Sequence, residues 1–528
     1  MKYILHNNIL KIIPMRKFIP IIAMLSLLFT ANIEAQNAMK LDFNSAEITL
    51  NKNIYGQFAE HLGRCIYDGI WVGPDSDIPN VNGYRKDVLE ALQELDIPVL
   101  RWPGGCFADT YHWKDGVGPV EERPNIKNVF WGGSIEDNSF GTNEFLNLCE
   151  MLGCDAYISA NVGSGTVEEM VDWITYMTSD EDLPMANWRR ENGREEPWDV
   201  KFLGVGNESW GCGGDMRPEF YSDLLRQYSL YANLYGGGKF QRVGCGANGA
   251  DYNWTEVLME RASRNMDALS VHYYTIATGN WGDKSAATGF NEDLYFNGLR
   301  EAMRMDELLT KHSEIMDKYD PRKRVPLMVD EWGIWTNVEP GTEPGFLYQQ
   351  NSMRDALIAA ISFNIFHEHA ERVEMANIAQ TVNVLQAMLL TNDEQVIKTP
   401  TYHVFNMYKG HQDATFIPSE ISSEEYKMGD QSFPSVTGTA SKTKEGKVNI
   451  SLSNLNPHKS IEIDVDLTSG QVKNVNMASV LTAPAFNSIN DFDSPETVKP
   501  INFSDYNISN GKLKVKLPPH SIVSIEMQ

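Results

Sequence analysis

A strand–helix unit recurs along most of this chain, and this alternation limits the folds open to it. Short apolar runs of strand length are followed by segments with helical periodicity. The candidate strands are residues 54–60, 98–102, 155–161, 201–207, 241–247, 267–273, 325–330 and 373–379. Strands that alternate with helices indicate a parallel sheet, because the helices carry the chain back across it. Eight such units predict an α/β fold of the (β/α)8, or TIM-barrel, type.

The C-terminal part of the chain has a different pattern. Beyond Thr401, polar and apolar residues alternate with a period of two, notably at residues 447–454, 461–467 and 512–517. Without intervening helical periodicity, this predicts an antiparallel, jelly-roll-like β-sandwich. We therefore predict four segments: a signal peptide at 1–35, one or two N-terminal strands at 36–52 that join the sandwich, a catalytic barrel at 53–395, and the β-sandwich at 396–528.

The first residues have the composition of a targeting signal. Met15-Arg16-Lys17 is basic, residues 18–30 are apolar, and Ala35 is a small residue suited to cleavage. This pattern predicts a cleavable signal peptide and a secreted or periplasmic enzyme, with either Met1 or Met15 as the start. No later apolar run is long enough to span a bilayer, so we expect no membrane insertion of the mature chain.

Charge and cysteine content exclude several classes of protein. The formal net charge of −26 disfavours nucleic acid and anionic membranes as partners, and it fits a neutral substrate. The six cysteines include no Cys-x-x-Cys pair, so a zinc knuckle is not expected. Disulfides and buried free thiols both stay open, as does a homo-oligomer. We expect no cofactor and no metal.

Two strand ends carry glutamates in similar surroundings. The apolar strand at 201–207 ends in Asn207-Glu208, and the strand at 325–330 ends in Asp330-Glu331; Trp and Gly follow closely in both cases. Parallel strand ends meet on the C-terminal face of a barrel, where active sites lie. Glycoside hydrolysis needs two such carboxyl groups, one to protonate the leaving oxygen and one to attack the sugar or activate water. Arg101, at the end of the second strand, is the candidate cation that keeps one carboxylate ionised.

The stretches around these strand ends resemble glycoside hydrolase family 51, the α-L-arabinofuranosidases of clan A. The similar segments are residues 55–67, 100–107, 205–214, 330–335, 344–350 and 377–383. The resemblance implies a retaining, exo-acting α-L-arabinofuranosidase that works by double displacement. Its expected substrates are terminal non-reducing α-L-arabinofuranosyl residues of arabinan, arabinoxylan or their oligosaccharides, as in hemicellulose degradation.

The resemblance also implies roles for individual residues. Glu208 corresponds to the general acid/base and Glu331 to the nucleophile. The implied substrate-binding residues are Glu60, Arg101, Cys106, Asn207, Tyr274, Trp335 and Gln380. Cys106 departs from those members that carry Asn there, so a sugar contact through its side chain is in question. Because Cys106 and Cys212 both follow barrel strands near the expected pocket, a disulfide between them is one candidate pairing.

Other interpretations of the sequence remain open. An endo-acting β-glucanase or xylanase would use the same carboxylates in a groove instead of a pocket. A non-catalytic carbohydrate-binding protein would be expected to lack one strand-end glutamate, and both are present. His272 is either a hydrogen-bond donor in the pocket or a packed core histidine. Trp102, Trp113 and Trp281 are candidate sugar platforms, with core packing favoured for Trp102.

Overall fold

The computed structural model describes residues 37–470 and 472–528. Eight parallel strands pair in chain order and close into a barrel, with the last strand beside the first. The barrel strands β1 to β8 are Gly56–Phe58, Val99–Trp102, Asp155–Ala160, Val200–Val205, Gln241–Asn248, Ala268–Thr275, Leu327–Ile334 and Val373–Ala379. The predicted (β/α)8 fold is confirmed. The predicted signal peptide at residues 1–35 lies outside the described residues.

Nine α-helices occur in the described part of the chain, and most surround the barrel. In order, α1 to α9 are Lys86–Leu95, Thr142–Leu152, Val167–Thr178, Pro184–Glu191, Pro218–Gly236, Tyr252–Ala262, Glu292–Tyr319, Met353–Glu368 and Pro400–Tyr408. Helix α1 illustrates why they form: Val88, Leu92 and Leu95 recur at helical spacing and are all buried. The barrel strands are buried on both faces, which explains their continuous apolar sequence.

The C-terminal part folds into two antiparallel-rich sheets packed on a shared core. One sheet has the strand order Ser419–Ser422, Ala38–Leu41, Ile461–Asp466, Lys512–Leu517, Tyr506–Ser509. The other has the order Thr415–Phe416, Val436–Lys442, Val448–Asn454, Ser521–Met527, Val475–Leu481, Ile501–Asn502. Alternate residues such as Ile463 and Val465 point into the core between the sheets. The predicted β-sandwich is confirmed.

Several element boundaries differ from the sequence-based ones. Strand β1 is shorter than the predicted 54–60, because Lys52–Tyr55 forms a 3-10 turn before it. The N-terminal strand ends at Leu41, where Asp42 caps a 3-10 turn. Helix α9 lies in the segment predicted as sandwich, and it packs against α8. Thr399 caps α9 and Pro400 occupies its first turn, a start signal that the β pattern of the flanking sequence masked.

Helix α8 lies between the barrel and the sandwich. It is buried on every side, which accounts for its apolar composition all round. His367 bonds Tyr55 Oη at 2.8 Å on the barrel side and Thr439 Oγ1 at 2.9 Å on the sandwich side. The His367-Glu368-His369 sequence is therefore a helix end in an interface. No helix in the described ranges is long and apolar enough to cross a membrane.

Four short β-hairpins lie in loops of the described chain. They pair Asn80–Val81 with Tyr84–Arg85, Ile126–Lys127 with Ile135–Glu136, Leu389–Thr391 with Val396–Lys398, and Glu425–Met428 with Gln431–Pro434. The second lies within the long connection between β2 and α2, at the C-terminal end of the barrel strands. That connection also carries Trp131, which reaches the cavity described below.

Candidate active site

The predicted site residues converge at the C-terminal ends of the barrel strands. A cavity of about 230 Å³ opens there. Its lining includes seven of the nine predicted residues: Glu60, Cys106, Glu208, Tyr274, Glu331, Trp335 and Gln380. The other two are next to this lining: Arg101 donates to Glu331, and Asn207 accepts from Arg101. The structure therefore brings all nine together from six different strand ends.

Glu331 is held in β7 by one cation and one phenol. Arg101 Nη1 donates to its Oε1 at 2.8 Å, and Tyr274 Oη donates to its Oε2 at 2.8 Å. The Glu331 side chain is only 5 % exposed. These two donors fix both oxygens of the carboxylate, and the guanidinium supplies a charge-assisted hydrogen bond.

Glu208 has surroundings of a different character. Burial raises the pKa of this carboxyl, a nearby Glu331 adds to that rise, and the hydrogen bond from His272 opposes it. Nδ1 of His272 lies 3.0 Å from Oε1 of Glu208. A carboxyl with a raised pKa next to one paired with arginine is the arrangement that separates a proton donor from an ionised partner.

The backbone after β4 turns so that Glu208 faces the cavity. Gly206 has a φ of +84° and Glu208 one of +40°, so the chain turns sharply at the strand end. A non-glycine residue in the left-handed region costs of order 1–3 kcal/mol and persists where the surroundings fix it. Asp109 supplies part of that support, because its carboxylate accepts from the amides of Val162, Gly163 and Asn207.

Asn207 has a buried donor without a partner in the described chain, next to the cavity lining. Its Oδ1 accepts from Arg101 Nη2 at 2.6 Å, which fixes the orientation of the amide. Its Nδ2 is buried and has no hydrogen-bond partner among the described residues. A buried polar atom without a partner is costly, so this nitrogen is suited to bind a ligand hydroxyl.

Glu60 and Gln380 form a second polar wall. Glu60 accepts from the amide of Phe107 at 3.0 Å, from Trp131 Nε1 at 2.9 Å and from Gln380 Nε2 at 3.0 Å. Burial and the charge of Glu331 raise the pKa of Glu60 to about 7. Gly105 permits this approach, because a Cβ there would lie 2.6 Å from Oε1 of Glu60. Within the described part of the chain, Oε1 of Gln380 has no partner.

His272 and Asp330 lie beneath the two carboxylates and were not among the nine predicted site residues. Nε2 of His272 lies 3.1 Å from Oδ1 of Asp330, and Tyr157 Oη donates to Oδ2 of Asp330 at 2.7 Å. Although burial opposes a charge on the imidazole, the carboxylates of Glu331 and Asp330 raise the pKa of His272 to about 10. Burial raises the pKa of Asp330, but Arg101 and His272 outweigh it and lower that pKa overall.

Aromatic rings form the mouth of the cavity. Trp335 meets Tyr274 edge to face at 5.1 Å, and Trp281 meets Trp335 at the same centroid distance. Trp281 is 57 % exposed and lines the opening, whereas Trp102 and Trp113 are buried in the core. Trp131 and Trp210 also line the cavity and were not predicted, because they lie in loops without a periodic pattern.

A disulfide joins Cys106 and Cys212 at the wall of the cavity, which is the candidate pairing the sequence left open. Oε2 of Glu208 lies 3.4 Å from the sulfur of Cys212 and 3.8 Å from that of Cys106. Disulfide sulfurs carry no hydrogen, so these are packing contacts and not hydrogen bonds. The other four cysteines, Cys65, Cys149, Cys154 and Cys245, are free thiols.

A closed (β/α)8 barrel with two carboxyl groups facing one cavity, one just after β4 and one in the C-terminal half of β7, defines a barrel glycoside hydrolase. Two family models match the chain: the alpha-L-arabinofuranosidase 1 domain over residues 91–232 and the alpha-L-arabinofuranosidase C-terminal domain over residues 330–521.

Named relatives agree with those family matches. An intracellular exo-alpha-L-arabinofuranosidase of Bacteroides ovatus is 55 % identical over 90 % of this chain and 93 % of its own. Alpha-L-arabinofuranosidase C of Emericella nidulans is 34 % identical over 80 % and 86 % of the two chains. The GH51 arabinofuranosidase of Xanthomonas axonopodis pv. citri superposes with a TM-score of 0.91 at 48 % identity, covering 93 % and 100 %. The chain therefore belongs to glycoside hydrolase family 51 and is a hydrolase of the α-L-arabinofuranosidase type.

The comparisons correct one prediction from the sequence. Residues 1–35 predicted a secreted or periplasmic enzyme, but the Bacteroides ovatus relative is named as intracellular, and the predicted localisation is wrong on this comparison. The localisation was predicted from the composition of the first 35 residues alone, a basic segment followed by an apolar segment and a small residue. That pattern is independent of the barrel and of the active-site residues, so their agreement with the family does not support it.

Proposed function

We propose that this protein is a retaining, exo-acting α-L-arabinofuranosidase that cleaves terminal non-reducing α-L-arabinofuranosyl residues by double displacement. One observation carries the proposal: the two strand-end carboxylates face a cavity of about 230 Å³ that suits a single pentose. A pocket of that size admits a chain end, whereas an endo-acting glucanase or xylanase needs an open groove for sugars on both sides.

Glu331 acts as the nucleophile in this mechanism. Arg101 and Tyr274 donate to its two carboxylate oxygens and hold them in place, so one oxygen can attack the anomeric carbon. Attack gives a covalent arabinosyl-enzyme ester and breaks the glycosidic bond. The positive charges of Arg101 and His272 stabilise the carboxylate before attack and again when the ester is cleaved.

Glu208 acts as the acid in the first step and as the base in the second. Its raised pKa supports a protonated carboxyl that donates to the leaving oxygen. Once Glu331 is esterified, its negative charge is gone and the pKa of Glu208 falls, because a like charge no longer raises it. The ionised Glu208 then removes a proton from the water that hydrolyses the ester.

The carboxylate spacing supports retention of configuration. Glu208 and Glu331 each have an oxygen within 4.8 Å of the other and of the His272 imidazole. Retaining glycosidases have carboxylates about 5–5.5 Å apart, while inverting enzymes need roughly 6.5–9.5 Å to fit a water between them. The shorter spacing favours direct attack on the sugar.

The remaining polar residues bind the hydroxyls of the arabinofuranosyl ring. Nδ2 of Asn207 is the donor for the 2-hydroxyl, since it is buried and unpartnered within the described chain. Glu60 and Gln380 bind the other ring hydroxyls from the opposite wall, and Trp335 packs beside the ring. The expected substrates are arabinan, arabinoxylan and their oligosaccharides, which are neutral and compatible with a net charge of −26. Cys106, whose sulfur is bonded to Cys212, offers the sugar no side-chain hydrogen-bond donor.

Chemical rescue of alanine variants tests these roles. Wild-type protein is first assayed on aryl α-L-arabinofuranoside, aryl β-xyloside, aryl β-glucoside and β-glucan. Glu331→Ala should lose activity that azide restores as an arabinosyl azide of inverted configuration, whereas azide rescue of Glu208→Ala should give the retained azide. Activity on β-glucan alone would exclude the proposed function, and exchanged azide products would reverse the two roles.

A further inference from the structure

The Cys106–Cys212 disulfide lies within reach of both solvent and Glu208. Cys106 follows β2, and Cys212 lies in the loop after β4, four positions beyond Glu208. Both cysteines are partly exposed, and Cys106 lines the cavity. A small thiol that enters the cavity can therefore contact this bond. Exposed disulfides of this kind are the ones that reductants open most readily.

Reduction would create a set of metal-binding groups at this wall. The sulfurs of Cys106 and Cys212 and one oxygen of Glu208 all lie within 4.8 Å of one another. In the disulfide the sulfurs bear no negative charge and are poor ligands. A dithiol such as dithiothreitol supplies two electrons and two protons, forms its own disulfide, and leaves two thiols on the protein. Two thiolates and a carboxylate are ligands that Zn²⁺ and similar thiophilic cations prefer.

We propose that Cys106 and Cys212 form a redox-controlled inhibitory metal site. The disulfide form is open to substrate. The dithiol form releases its two thiol protons to solvent and binds a thiophilic divalent cation of the Zn²⁺ type, with Glu208 as the third ligand. The inhibitory part of this inference rests on the proposed role of Glu208 as acid/base. A carboxylate bound to the ion cannot carry the proton that the leaving oxygen needs, and the ion also occupies one wall of the sugar pocket.

The arrangement of Glu208 fits such a site. Its Oε1 faces His272 at 3.0 Å, whereas its Oε2 faces the two sulfurs. The ion would therefore use the oxygen that His272 does not. The Cα atoms of the two cysteines are 5.5 Å apart, so with Zn–S bonds of about 2.3 Å both thiolates can reach one ion. Water would complete the coordination.

Another thiol pair supplies a matched control. Cys149, in α2, and Cys154, just before β3, lie near one another, where the amide of Cys154 donates to the carbonyl of Cys149. They lie at the opposite end of the barrel strands from the cavity. Cys149→Ala/Cys154→Ala protein keeps the candidate site and removes this second pair, so it is the background for zinc measurements.

The experiment compares the oxidised protein with protein that was reduced by dithiothreitol and freed of it by anaerobic gel filtration. Zinc chloride is then titrated, and bound zinc is measured by calorimetry and elemental analysis, alongside hydrolysis of aryl α-L-arabinofuranoside. We expect the reduced control background to bind about one zinc per chain more than the oxidised protein, and to lose activity at least about tenfold. A chelator should restore that activity. The activity of the oxidised protein should not change when zinc is added.

Variants distinguish this site from other zinc effects. In the reduced control background, Cys106→Ser should not bind the additional zinc. Its activity, measured relative to the same variant without metal, should no longer fall when zinc is added. Equal inhibition of the oxidised protein, no additional zinc after reduction, or unchanged inhibition of reduced Cys106→Ser would each overturn the proposal. Zinc binding is measured without substrate, so absence of arabinofuranosidase activity would count against the proposed function and leave the metal site to be judged on binding.

Discussion

The imidazole of His272 lies between Asp330 and Glu208 and links them: Nε2 is 3.1 Å from Oδ1 of Asp330, and Nδ1 is 3.0 Å from Oε1 of Glu208. The same Nδ1 lies 3.5 Å from Oε2 of Glu331. One histidine therefore contacts both proposed catalytic carboxylates, while a third carboxylate beneath it favours its protonated form. The site places its second cation, besides Arg101, at the point where the two glutamates meet.

Removing this cation should move the pH profile. His272→Gln keeps a polar side chain but no charge, so Glu208 loses a neighbour that lowers the pKa of its carboxyl. We expect the limb of the kcat/KM profile that reports the ionisation of Glu208 to shift to higher pH. His112→Gln is the matched control, because His112 is half exposed and pairs with Glu169 away from the cavity. An unshifted His272→Gln profile would contradict the assigned role.

The same histidine should make stability depend on pH. Its pKa is about 10 in the folded protein against an ordinary 6.5, so its contribution is complete below pH 6.5 and is lost as pH rises through 10. The lowered pKa of Asp330 also contributes to stability. This contribution is fully present above pH 3.8, the ordinary pKa of an aspartate, and is lost as pH falls through the lowered pKa. Near pH 6, His272→Gln should unfold with ~3 kcal/mol less free energy than wild type, since it breaks a buried ion pair. Denaturant titrations should show that the difference in unfolding free energy between wild type and variant becomes smaller towards pH 10. A difference that does not change with pH would refute the role of the His272 charge.

The sequence predicts the strand-end residues well because barrel geometry places every such residue on one face. Asn207, Glu208, Glu331 and Gln380 each end an apolar run in the sequence, and the family resemblance implies their roles. His272 and Asp330 were harder to assign. Their contact depends on the register in which β6 pairs with β7, where His272 lies opposite Glu331, and periodicity does not specify register.

Residues in loops were also not predicted from the sequence. Trp131 reaches Glu60 from the long connection after β2, and its 2.9 Å hydrogen bond depends on a loop path that has no sequence period. Asp109, which binds three amides of neighbouring loops, gives no sequence signal beyond its own carboxylate. Helix α9 was missed because its flanking sequence alternates as a β-strand does.

Asn207 should act through a single substrate hydroxyl. Asn207→Ala removes the free amide donor, and we expect kcat/KM on aryl α-L-arabinofuranoside to fall about 10²- to 10³-fold, as for other buried donors that act in the transition state. The control is the substrate, an aryl 2-deoxy-arabinofuranoside, which wild type and variant should hydrolyse at rates within about threefold of each other. A full loss with the 2-deoxy substrate would mean that Asn207 supports the backbone of Glu208 and does not bind the hydroxyl.

Glu60 should make substrate affinity depend on pH near neutrality. Its pKa is raised to about 7 by burial and by Glu331, so the carboxylate is largely protonated below pH 7 and ionised above it. The ionised form accepts stronger hydrogen bonds from sugar hydroxyls. KM should therefore fall about tenfold as pH rises from 6 to 8, and Glu60→Gln should give a high KM that does not change over this range. Glu168→Gln, on the exposed face of α3, is the control that should retain the wild-type profile. Steady-state kinetics at constant ionic strength measure these constants. If KM of Glu60→Gln still fell with rising pH, the titrating group would be another residue and Glu60 would serve only as a fixed hydrogen-bond acceptor.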